Sequence, residues 1–373
     1  MSAKRAVLAG FYPPPFAGEP VHVKQLAQLL RRHGMAVDIL NLNRRARPSP
    51  DYLSCRGRWT LLWKLFTVAD RASILHLHTN GHSRKSWLMI LVAGLAARVR
   101  GTAAVLTLHS GLLPAYVAGF GRTRRALARW ILGSFARVVC VNGEIRGAIQ
   151  HLGDGGGRVV VIPAFLGVAP SAELGPADRA LIRDFGPLLV AVAGGEHDPE
   201  RGLAVVLSAV QQLAPLLPGL GALLMGWQVG PRTRPLIEEL GLAGRAVCLG
   251  EVSHDRCLAF LGAGDVFVRS TFADGDAITV REALALGVPV VASDTAFRPT
   301  GVTLFRKGDV SDLAAKLMQV LAAPAAEFPP PAPLHDQPAR DIWQLYSELA
   351  GPASDAGQLL RPPRRPATEG RPR

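Results

Sequence analysis

Residues 264–294, GDVFVRSTFADGDAITVREALALGVPVVASD, constrain the fold of this chain more than any other stretch. The apolar run 266–268 is typical of a short buried strand in a parallel sheet. Apolar positions over 278–286 predict a helix, and Gly287 is a suitable residue to end it. The apolar run 290–292 then predicts the next strand. The order strand, loop, helix, strand predicts a parallel βα unit.

The loop of this unit combines acidic side chains with the start of a helix. Asp274 and Asp276 lie in it, on either side of Gly275. In a parallel βα unit the helix begins at the carboxyl edge of the sheet, where its free N–H groups and its dipole favour an anion. Carboxylates beside that anion are good acceptors for sugar or ribose hydroxyls. The loop therefore suits a nucleotide sugar, and the alternative is a buried unit whose acids only cap the helix.

The same stretch resembles the signature of the retaining GT-B glycosyltransferases of family 4. In that signature an acid, seven residues and a glutamate precede an alanine-rich helix and a Gly-x-Pro-Val-Val-Ala strand; the acids here are Asp274 and Glu282. The resemblance implies that Glu282 binds the donor ribose. It implies that Asp274, one methylene shorter than the usual glutamate, lies near the donor sugar and the leaving group. The backbone expected to bind the sugar hydroxyls is that of Gly275, Asp276, Ala277 and Ile278.

Two positions in the first half also match the family. After the first predicted strand, Gly18 matches the first glycine of a pair whose backbone approaches the donor phosphates, and Glu19 replaces the second. His109 follows the apolar run 103–108, where many family members have a histidine that reaches the donor sugar. The resemblance implies a hydrogen bond from His109 to the transferred sugar or to backbone, whereas a lone histidine is more often structural.

The second half carries the expected phosphate-binding cation. The family has a Gly-Arg pair and later a Lys-Gly pair, and the two cations neutralise the donor diphosphate. Arg201 and Gly202 match the second pair with Arg for Lys, while Gly195 replaces the first Arg. A guanidinium can hold phosphate oxygens at two points, so Arg201 is the strongest cationic candidate, and Arg269 could compensate for the missing cation. Val252 matches the segment whose backbone holds the nucleobase.

The length and composition allow two domains. A chain of 373 residues, 49% of them hydrophobic, can form a core in each half. Alternating short strands and helices predict an α/β fold with two parallel sheets, and the resemblance implies the GT-B architecture, two Rossmann-like domains facing each other across a cleft. The predicted segments are a surface loop at 44–58, an acceptor domain at 1–168, a nucleotide-sugar donor domain at 169–330, a helix that crosses back to the first domain at 331–350, and a disordered Pro- and Arg-rich tail at 351–373.

The positive charge bears on the partners of the protein. The formal net charge is +13 at pH 7, and part of it is concentrated in the sequence GFGRTRRALAR. This segment is either a solvated helix start or a contact for anionic lipid or a lipid-diphosphate acceptor. No zinc spacing or RNP-like aromatic pattern accompanies the charge, so we rank nucleic acid below a membrane surface and a nucleotide diphosphate. The arginines concerned are Arg122, Arg124, Arg125 and Arg129.

Metal and redox chemistry are not indicated. His76 and His78 share one face of a predicted strand, so a metal site is geometrically possible, but no neighbouring ligand cluster in the sequence completes it. We expect no obligatory metal and no cofactor. We expect a cytoplasmic location, with peripheral contact at the inner membrane face, because neither a signal peptide nor a bilayer-spanning segment is recognisable. No CxxC spacing occurs among the cysteines, which suit buried, reduced thiols: Cys55, Cys140, Cys248 and Cys257.

The resemblance implies transfer of a sugar from a nucleotide-diphosphate donor to an acceptor hydroxyl, with retained anomeric configuration. Arg201 and backbone N–H groups would stabilise the leaving diphosphate. Cell-surface polysaccharide or lipid-linked glycan assembly is the expected setting. One alternative is a non-catalytic GT-B relative that binds a partner or a membrane. Another is a Rossmann-type epimerase or oxidoreductase, against which the missing glycine-rich fingerprint after the first strand counts.

Overall fold

The structure is a computed structural model, and it describes most of the chain. The described residues are 4–55, 57–69, 74–153, 157–165, 173–193, 199–226, 229–231, 233–295, 297–323 and 337–350. The predicted tail at 351–373 lies outside these ranges, as do the predicted domain boundaries at 168 and 330.

The first half forms a seven-stranded sheet in which all pairs are parallel, in the order β3-β2-β1-β4-β5-β6-β7. Its strands are β1 (Arg5–Gly10), β2 (Ala36–Asn41), β3 (Leu53–Ser54), β4 (Ile74–Thr79), β5 (Ala103–Leu108), β6 (Arg137–Cys140) and β7 (Val159–Val161). The helices between them are α1 (Gly18–Arg32), α2 (Arg58–Ala69), α3 (Arg84–Arg100), α4 (Leu113–Ala118), α5 (Arg122–Leu132) and α6 (Gly143–His151).

The second half forms a separate six-stranded sheet, again with parallel pairs, in the order β10-β9-β8-β11-β12-β13. Its strands are β8 (Leu188–Val192), β9 (Gly221–Met225), β10 (Ala246–Gly250), β11 (Val266–Arg269), β12 (Val290–Ser293) and β13 (Val302–Phe305). The helices are α7 (Pro176–Ile182), α8 (Pro199–Leu213), α9 (Thr233–Glu239), α10 (His254–Ala263), α11 (Ile278–Ala285), α12 (Val310–Ala322) and α13 (Gln337–Leu349). The predicted architecture of two Rossmann-like domains is confirmed.

Each sheet is buried on both faces, which is why its strands are so apolar. In the first sheet, one face packs against α3, α5 and α6 and the other against α1 and α13. In the second sheet, one face packs against α8 and α12 and the other against α10 and α11. Polar side chains on such buried strands are exceptions, and in the first sheet they include His76 and His78 of β4 and Thr107 of β5.

The prediction of a surface loop at 44–58 was incomplete. Leu53–Ser54 forms a two-residue edge strand that pairs with β2, with Leu40 opposite Leu53 and Asn41 opposite Ser54. Two residues are too few to show the alternation of apolar and polar side chains that predicts a strand. The strand forms here because β2 provides a pairing partner, not because of the local sequence.

Helix α13 belongs to the core of the first domain, although it follows the second domain in the chain. Ile342 and Leu345 are buried in the same cluster as Leu26 of α1. The hydroxyl of Tyr346, a fully buried residue, lies 2.7 Å from Nδ1 of His76. The other nitrogen of that ring, Nε2, lies 2.6 Å from the hydroxyl of Thr107.

We expect Tyr346→Phe to lower the free energy of unfolding by roughly 1–3 kcal/mol, because it leaves a buried ring nitrogen of His76 without its partner. The neighbouring change Ser347→Ala removes only a hydroxyl that donates to the carbonyl of Trp343 within the helix, and it should be close to neutral. Urea unfolding followed by tryptophan fluorescence measures both. Equal stability of the two variants would contradict a structural role for the Tyr346–His76 bond.

Candidate functional site

The carboxyl edges of the two sheets meet. Asn142, which follows β6, donates from Nδ2 to the carbonyl of Gly275 at 2.6 Å. Its Oδ1 accepts from the backbone N–H of Ile145 at 2.9 Å, which caps α6. The backbone N–H of Phe16, after β1, donates to Glu251, after β10, at 3.1 Å. Loops at both edges are thus joined, and the candidate site lies between them.

Two glycines allow the loop after β5 to cross the loop after β11 in direct contact. A methyl group on Gly275 would overlap the carbonyl oxygen of His109. A methyl group on Gly111 would overlap the backbone of Asp274. Neither glycine has a positive φ, so close approach, not backbone conformation, is what requires glycine there. The predicted sugar-binding loop therefore lies against the segment that carries His109.

Glu282 is buried in α11 and has one carboxylate oxygen engaged. Its Oε1 lies 2.6 Å from Nε2 of His254, at the start of α10. Its Oε2 is buried without a hydrogen-bond partner among the described residues. A buried acceptor without a partner costs about 1–3 kcal/mol, so this oxygen is suited to a hydroxyl of a bound ligand.

The pairing with Glu282 also favours the charged form of His254. Burial alone would lower the pKa of His254, but the hydrogen bond and the negative charge of Glu282 outweigh it, and the net pKa is raised. The sequence did not single out His254. A histidine directly after Ser253, which caps α10 through its hydroxyl, gives no signal of the acid that it meets 28 residues later.

Asp274 lies in a buried cluster with two arginines. Arg269 donates to it from Nε at 2.9 Å and from Nη2 at 3.3 Å. Arg298 donates to it from Nη1 at 2.9 Å, and the hydroxyl of Thr271 donates to it at 3.1 Å. Burial raises the pKa of Asp274, but the two guanidinium charges outweigh it and hold the pKa well below its usual range. The predicted role of Asp274 beside the sugar stays a prediction.

Asp276 is also paired within the protein. Arg281 donates to both carboxylate oxygens, with distances of 2.9–3.1 Å. The backbone N–H of Ala164, from the first domain, donates to Oδ2 at 2.7 Å. Ile278 packs with Ala164 and with Val21 of α1 in a small apolar contact between the domains. Asp276 thus orders the loop through Arg281 and attaches it to the first domain through Ala164.

His109 belongs to a cluster of histidines on the first sheet. Its Nε2 lies 3.1 Å from Nδ1 of His78, and its ring centroid lies 5.1 Å from that of His22. Burial, with the charges of the neighbouring rings, lowers the pKa of His109 and His78 well below the usual value. Burial also lowers the pKa of His22 to about 4. The rings are therefore neutral at pH 7, which makes them hydrogen-bonding groups rather than cations.

No group of three or more His, Cys, Asp or Glu within the described ranges is arranged to hold a metal ion. This includes the predicted alternative at His76 and His78, whose rings stack at 4.1 Å. The nitrogens of His76 are used by Tyr346 and Thr107 instead. The four cysteines are free thiols.

The other predicted donor-binding residues lie at the same edges. Gly18 is the first residue of α1 and is exposed, with no atom near the position of an added methyl group. The carboxylate of Glu19 accepts from the backbone N–H of Phe11 at 3.3 Å, which turns it towards its own loop. Val252 lies two residues after β10 and directly before the cap of α10, close in sequence to His254.

Arg201 lies in the first turn of α8. The side chain of Arg201 and the position of Gly195 lie outside the part of the chain that the structure describes. The neighbouring Gly202 is described, and its carbonyl accepts from the hydroxyl of Ser270 at 2.6 Å. The first turn of α8 therefore lies against the end of β11.

The four arginines lie on α5, which packs on the same face of the first sheet as α3 and α6. Arg125 donates from Nε to the carbonyl of Phe120 at 2.9 Å, and Arg129 donates from Nε to that of Leu152 at 3.1 Å. Arg122 and Arg124 are exposed. Trp130 and Leu127 are 58% and 52% exposed on the same helix. Two of the four arginines thus have structural partners, and a mixed basic and apolar surface remains.

Comparison with known families agrees with this geometry. Residues 17–166 match the family model described as Glycosyltransferase Family 4, and residues 186–323 match the model described as Glycosyl transferases group 1. The two models together cover both domains, so the chain belongs to the GT-B glycosyltransferases and is similar to family 4. The predicted glycosyltransferase family is confirmed, and retention of configuration stays a prediction.

Individual relatives are distant. A 2-deoxystreptamine glucosyltransferase of Streptomyces kanamyceticus is 27% identical over 279 residues, which are 68% of this chain and 69% of the relative. Sucrose-phosphate synthase from Thermosynechococcus elongatus superimposes with a TM-score of 0.67 at 20% identity, over 93% of this chain and 99% of that one. Anabaena HepE in complex with UDP-glucose gives 0.64 at 17% identity, over 91% and 99%. The structural likenesses bear on the fold alone.

Among the described helices, none has the length and apolar character needed to cross a membrane.

Proposed function

We propose that this glycosyltransferase moves a sugar from a nucleotide-diphosphate sugar to an acceptor hydroxyl in the space between the two carboxyl edges. The observation that carries the proposal is the buried, unpartnered Oε2 of Glu282. It lies on a helix whose first residue, Ile278, contacts the first domain. A ribose hydroxyl donating to Oε2 would remove the cost of this buried acceptor.

Each of the remaining predicted site residues is assigned to the part of the donor that it would contact: the base, the diphosphate or the sugar. The backbone at Val252 holds the base, and Arg201 with backbone N–H groups holds the diphosphate. His109 and the backbone of residues 275–278 hold the sugar. Fixed donors aimed at a leaving diphosphate stabilise its developing charge without an obligatory metal. A bond forms between the anomeric carbon and the acceptor oxygen, and the bond between the anomeric carbon and the diphosphate oxygen breaks. The acceptor proton leaves with the diphosphate or to solvent.

Retention of anomeric configuration is part of the proposal, on the strength of the family resemblance. We propose a hexose as the transferred sugar and UDP-glucose as the first donor to test, because one relative is described as a glucosyltransferase and one neighbour is described with UDP-glucose. The acceptor is proposed to be a saccharide or a lipid-linked glycan of cell-surface polysaccharide assembly. The location is proposed to be cytoplasmic.

Release of nucleoside diphosphate from a panel of UDP-, GDP-, ADP- and dTDP-sugars, with saccharide and lipid-extract acceptors, tests the proposal. A thermal-shift screen of the same donors runs in parallel, because a ligand at 100 times its Kd stabilises a protein by about 2.7 kcal/mol. One donor should both stabilise the protein and be consumed. Binding without any release would favour a non-catalytic relative. Conversion of the donor to an isomer, without release, would favour an epimerase.

We also propose that α5 contacts an anionic membrane, because exposed arginines beside exposed Trp130 suit such a surface. Arg122→Glu with Arg124→Glu should weaken sedimentation with vesicles containing anionic lipid by roughly tenfold or more. The matched control is Arg179→Glu with Arg183→Glu, an equal charge change on exposed side chains of the second domain. If both double variants lost vesicle binding equally, the net charge of the protein would explain the loss, and this result would contradict a specific role for α5.

A further inference from the structure

The cluster of Arg269, Asp274 and Arg298 contains one more positive charge than negative charge, and it is buried. The exposed fractions of these side chains are 8%, 10% and 4%, respectively. A single arginine would be enough to neutralise Asp274. The second guanidinium is costly to bury, and burial is the first cause of the lowered pKa of Arg298. The excess charge therefore calls for a reason beyond holding one carboxylate.

The cluster lies at the base of the segment expected to hold the donor diphosphate. Arg269 donates from Nη1 to the carbonyl of Val192, the last residue of β8, at 3.3 Å. The residue after Arg269, Ser270, donates to the carbonyl of Gly202 in the first turn of α8 at 2.6 Å. The end of β8 and the start of α8 thus both lie against the end of β11. Arg201, the proposed diphosphate-binding cation, precedes Gly202 directly.

Charge counting points the same way. The diphosphate of a nucleotide sugar carries two negative charges, and the family resemblance implies two cations from the segment that runs from the end of β8 into the first turn of α8. This chain has Arg201 there, but Gly195 in place of the other cation. Two arginines and one aspartate at the end of β11 contribute a net charge of one. Arg201 and the cluster together would balance the two charges of the diphosphate.

We propose that the Arg269–Asp274–Arg298 cluster is the second cationic element of the donor site and stabilises the diphosphate through its buried net charge. The inference rests on the proposed function. Arg269 and Arg298 act as positioning and charge-supplying residues, since their N–H groups hold Val192, Asp274 and Ser293. A buried charge acts over several ångströms because salt and water screen it weakly. The substitution at Gly195 is thereby compensated by residues more than 70 positions later in the chain.

The test measures binding of inorganic pyrophosphate, UDP and uridine by isothermal titration calorimetry to the full chain. Arg298→Gln and Arg269→Gln should each weaken binding of pyrophosphate and UDP roughly 10- to 100-fold, the effect of one unit charge a few ångströms away at an effective dielectric of about 20. Uridine affinity should not change. Arg298→Lys and Arg269→Lys keep the charge and should bind pyrophosphate more tightly than the matching Gln variants do, although lysine cannot reproduce the two bonds from Arg269 to Asp274. Arg5→Gln is the matched control, because it breaks the ion pair between Arg5 on β1 and Asp38 on β2 in the first domain.

Asp274→Asn gives a test of opposite sign, since it keeps both guanidinium groups and raises the net charge of the cluster to two. It should bind pyrophosphate more tightly than wild type does. If the cluster had only a structural role, we would expect Asp274→Asn to bind pyrophosphate more weakly than wild type. Alternatively, the Gln and Lys variants of Arg269 and Arg298 would lose affinity for UDP and for uridine to the same extent. Either result overturns the proposal, as does unchanged pyrophosphate affinity in the Gln variants. The melting temperature of every variant is measured, and only variants that are folded at the temperature of the titration are compared.

The outcomes separate this inference from the proposed function. If wild-type protein consumes a nucleotide sugar and the Gln variants keep wild-type UDP affinity, the cluster has no part in a working donor site. If wild-type protein binds neither UDP nor another nucleoside diphosphate, the proposed function itself fails. Pyrophosphate binding that still depends on the cluster would then mark an anion site of another kind.

Discussion

Glu282→Gln is expected to raise the KM for the donor by roughly 10- to 100-fold and to change kcat much less. A hydrogen bond to a charged acceptor contributes about 1.5–3 kcal/mol, and a ribose contact is made equally in the ground state and the transition state, so its loss appears in KM. The same variant should bind free UDP more weakly. Steady-state release of nucleoside diphosphate and calorimetric titration of UDP measure the two effects.

Deoxyribose analogues sharpen this test. One of the two analogues, 2′-deoxy-UDP or 3′-deoxy-UDP, lacks the hydroxyl that donates to Oε2. Wild-type protein should bind that analogue more weakly than UDP. Glu282→Gln should bind that analogue and UDP with similar affinities. Asp265→Asn is the matched control. Asp265 directly precedes β11, and its carboxylate accepts from the N–H of Leu188, the first residue of β8, at 2.6 Å, at the opposite edge of the sheet. Unchanged discrimination in Glu282→Gln would exclude this oxygen as the ribose acceptor.

The unit built on residues 264–294 was predictable because its signals are local. An apolar run, a loop with two acids, a helix ended by glycine and a second apolar run each report on their own few residues. The structure has β11, α11 and β12 where the sequence placed them, within one or two residues. The alternation of such units also predicted two parallel sheets. Neither prediction required knowledge of a distant contact.

The side-chain partners were not predictable in the same way, because they come from separate parts of the chain. Arg298 lies 24 residues beyond Asp274, in a segment that carried no motif. Asn142 caps α6 through its nearby bond to Ile145, and its amide also holds Gly275, 133 residues away in the chain. Sequence spacing fixes which residues share a strand or a helix; it does not fix which loops meet.

The basic helix shows the same limit for single side chains, because a local run of arginines does not show which of them also hydrogen-bond within the protein. Four arginines over 122–129 were predicted as one face for an acceptor or a membrane. Arg125 and Arg129 donate to backbone carbonyls at 2.9 and 3.1 Å, which ties α5 to its neighbouring loops. Charge density alone does not distinguish an arginine that caps a chain turn from one that is available to a ligand.

Gly275→Ala is expected to lower kcat/KM by roughly 100-fold or more, since its new methyl group would overlap the carbonyl oxygen of His109. Both colliding groups belong to or sit directly on the backbone, so a rotamer change cannot relieve the overlap and the two loops must separate. Displacement of about 1 Å in an active site can cost about 100-fold in rate. Overpacking of this kind also costs roughly 1–3 kcal/mol of stability. Donor turnover, the melting temperature and the radius of gyration from solution scattering are the measurements.

A change in the opposite loop tests whether catalysis depends on the close contact between the loop after β5 and the loop after β11. Gly111→Ala would overlap the backbone of Asp274 from the other side, and it should reproduce both losses. Gly147→Ala in α6 is the control, because nothing lies within 4 Å of the added methyl group and alanine favours a helix over glycine by about 1 kcal/mol. If Gly275→Ala and Gly111→Ala turned over donor at the rate of Gly147→Ala, the contact between His109 and the acidic loop would have no part in catalysis. The sugar would then have to bind elsewhere along the two edges.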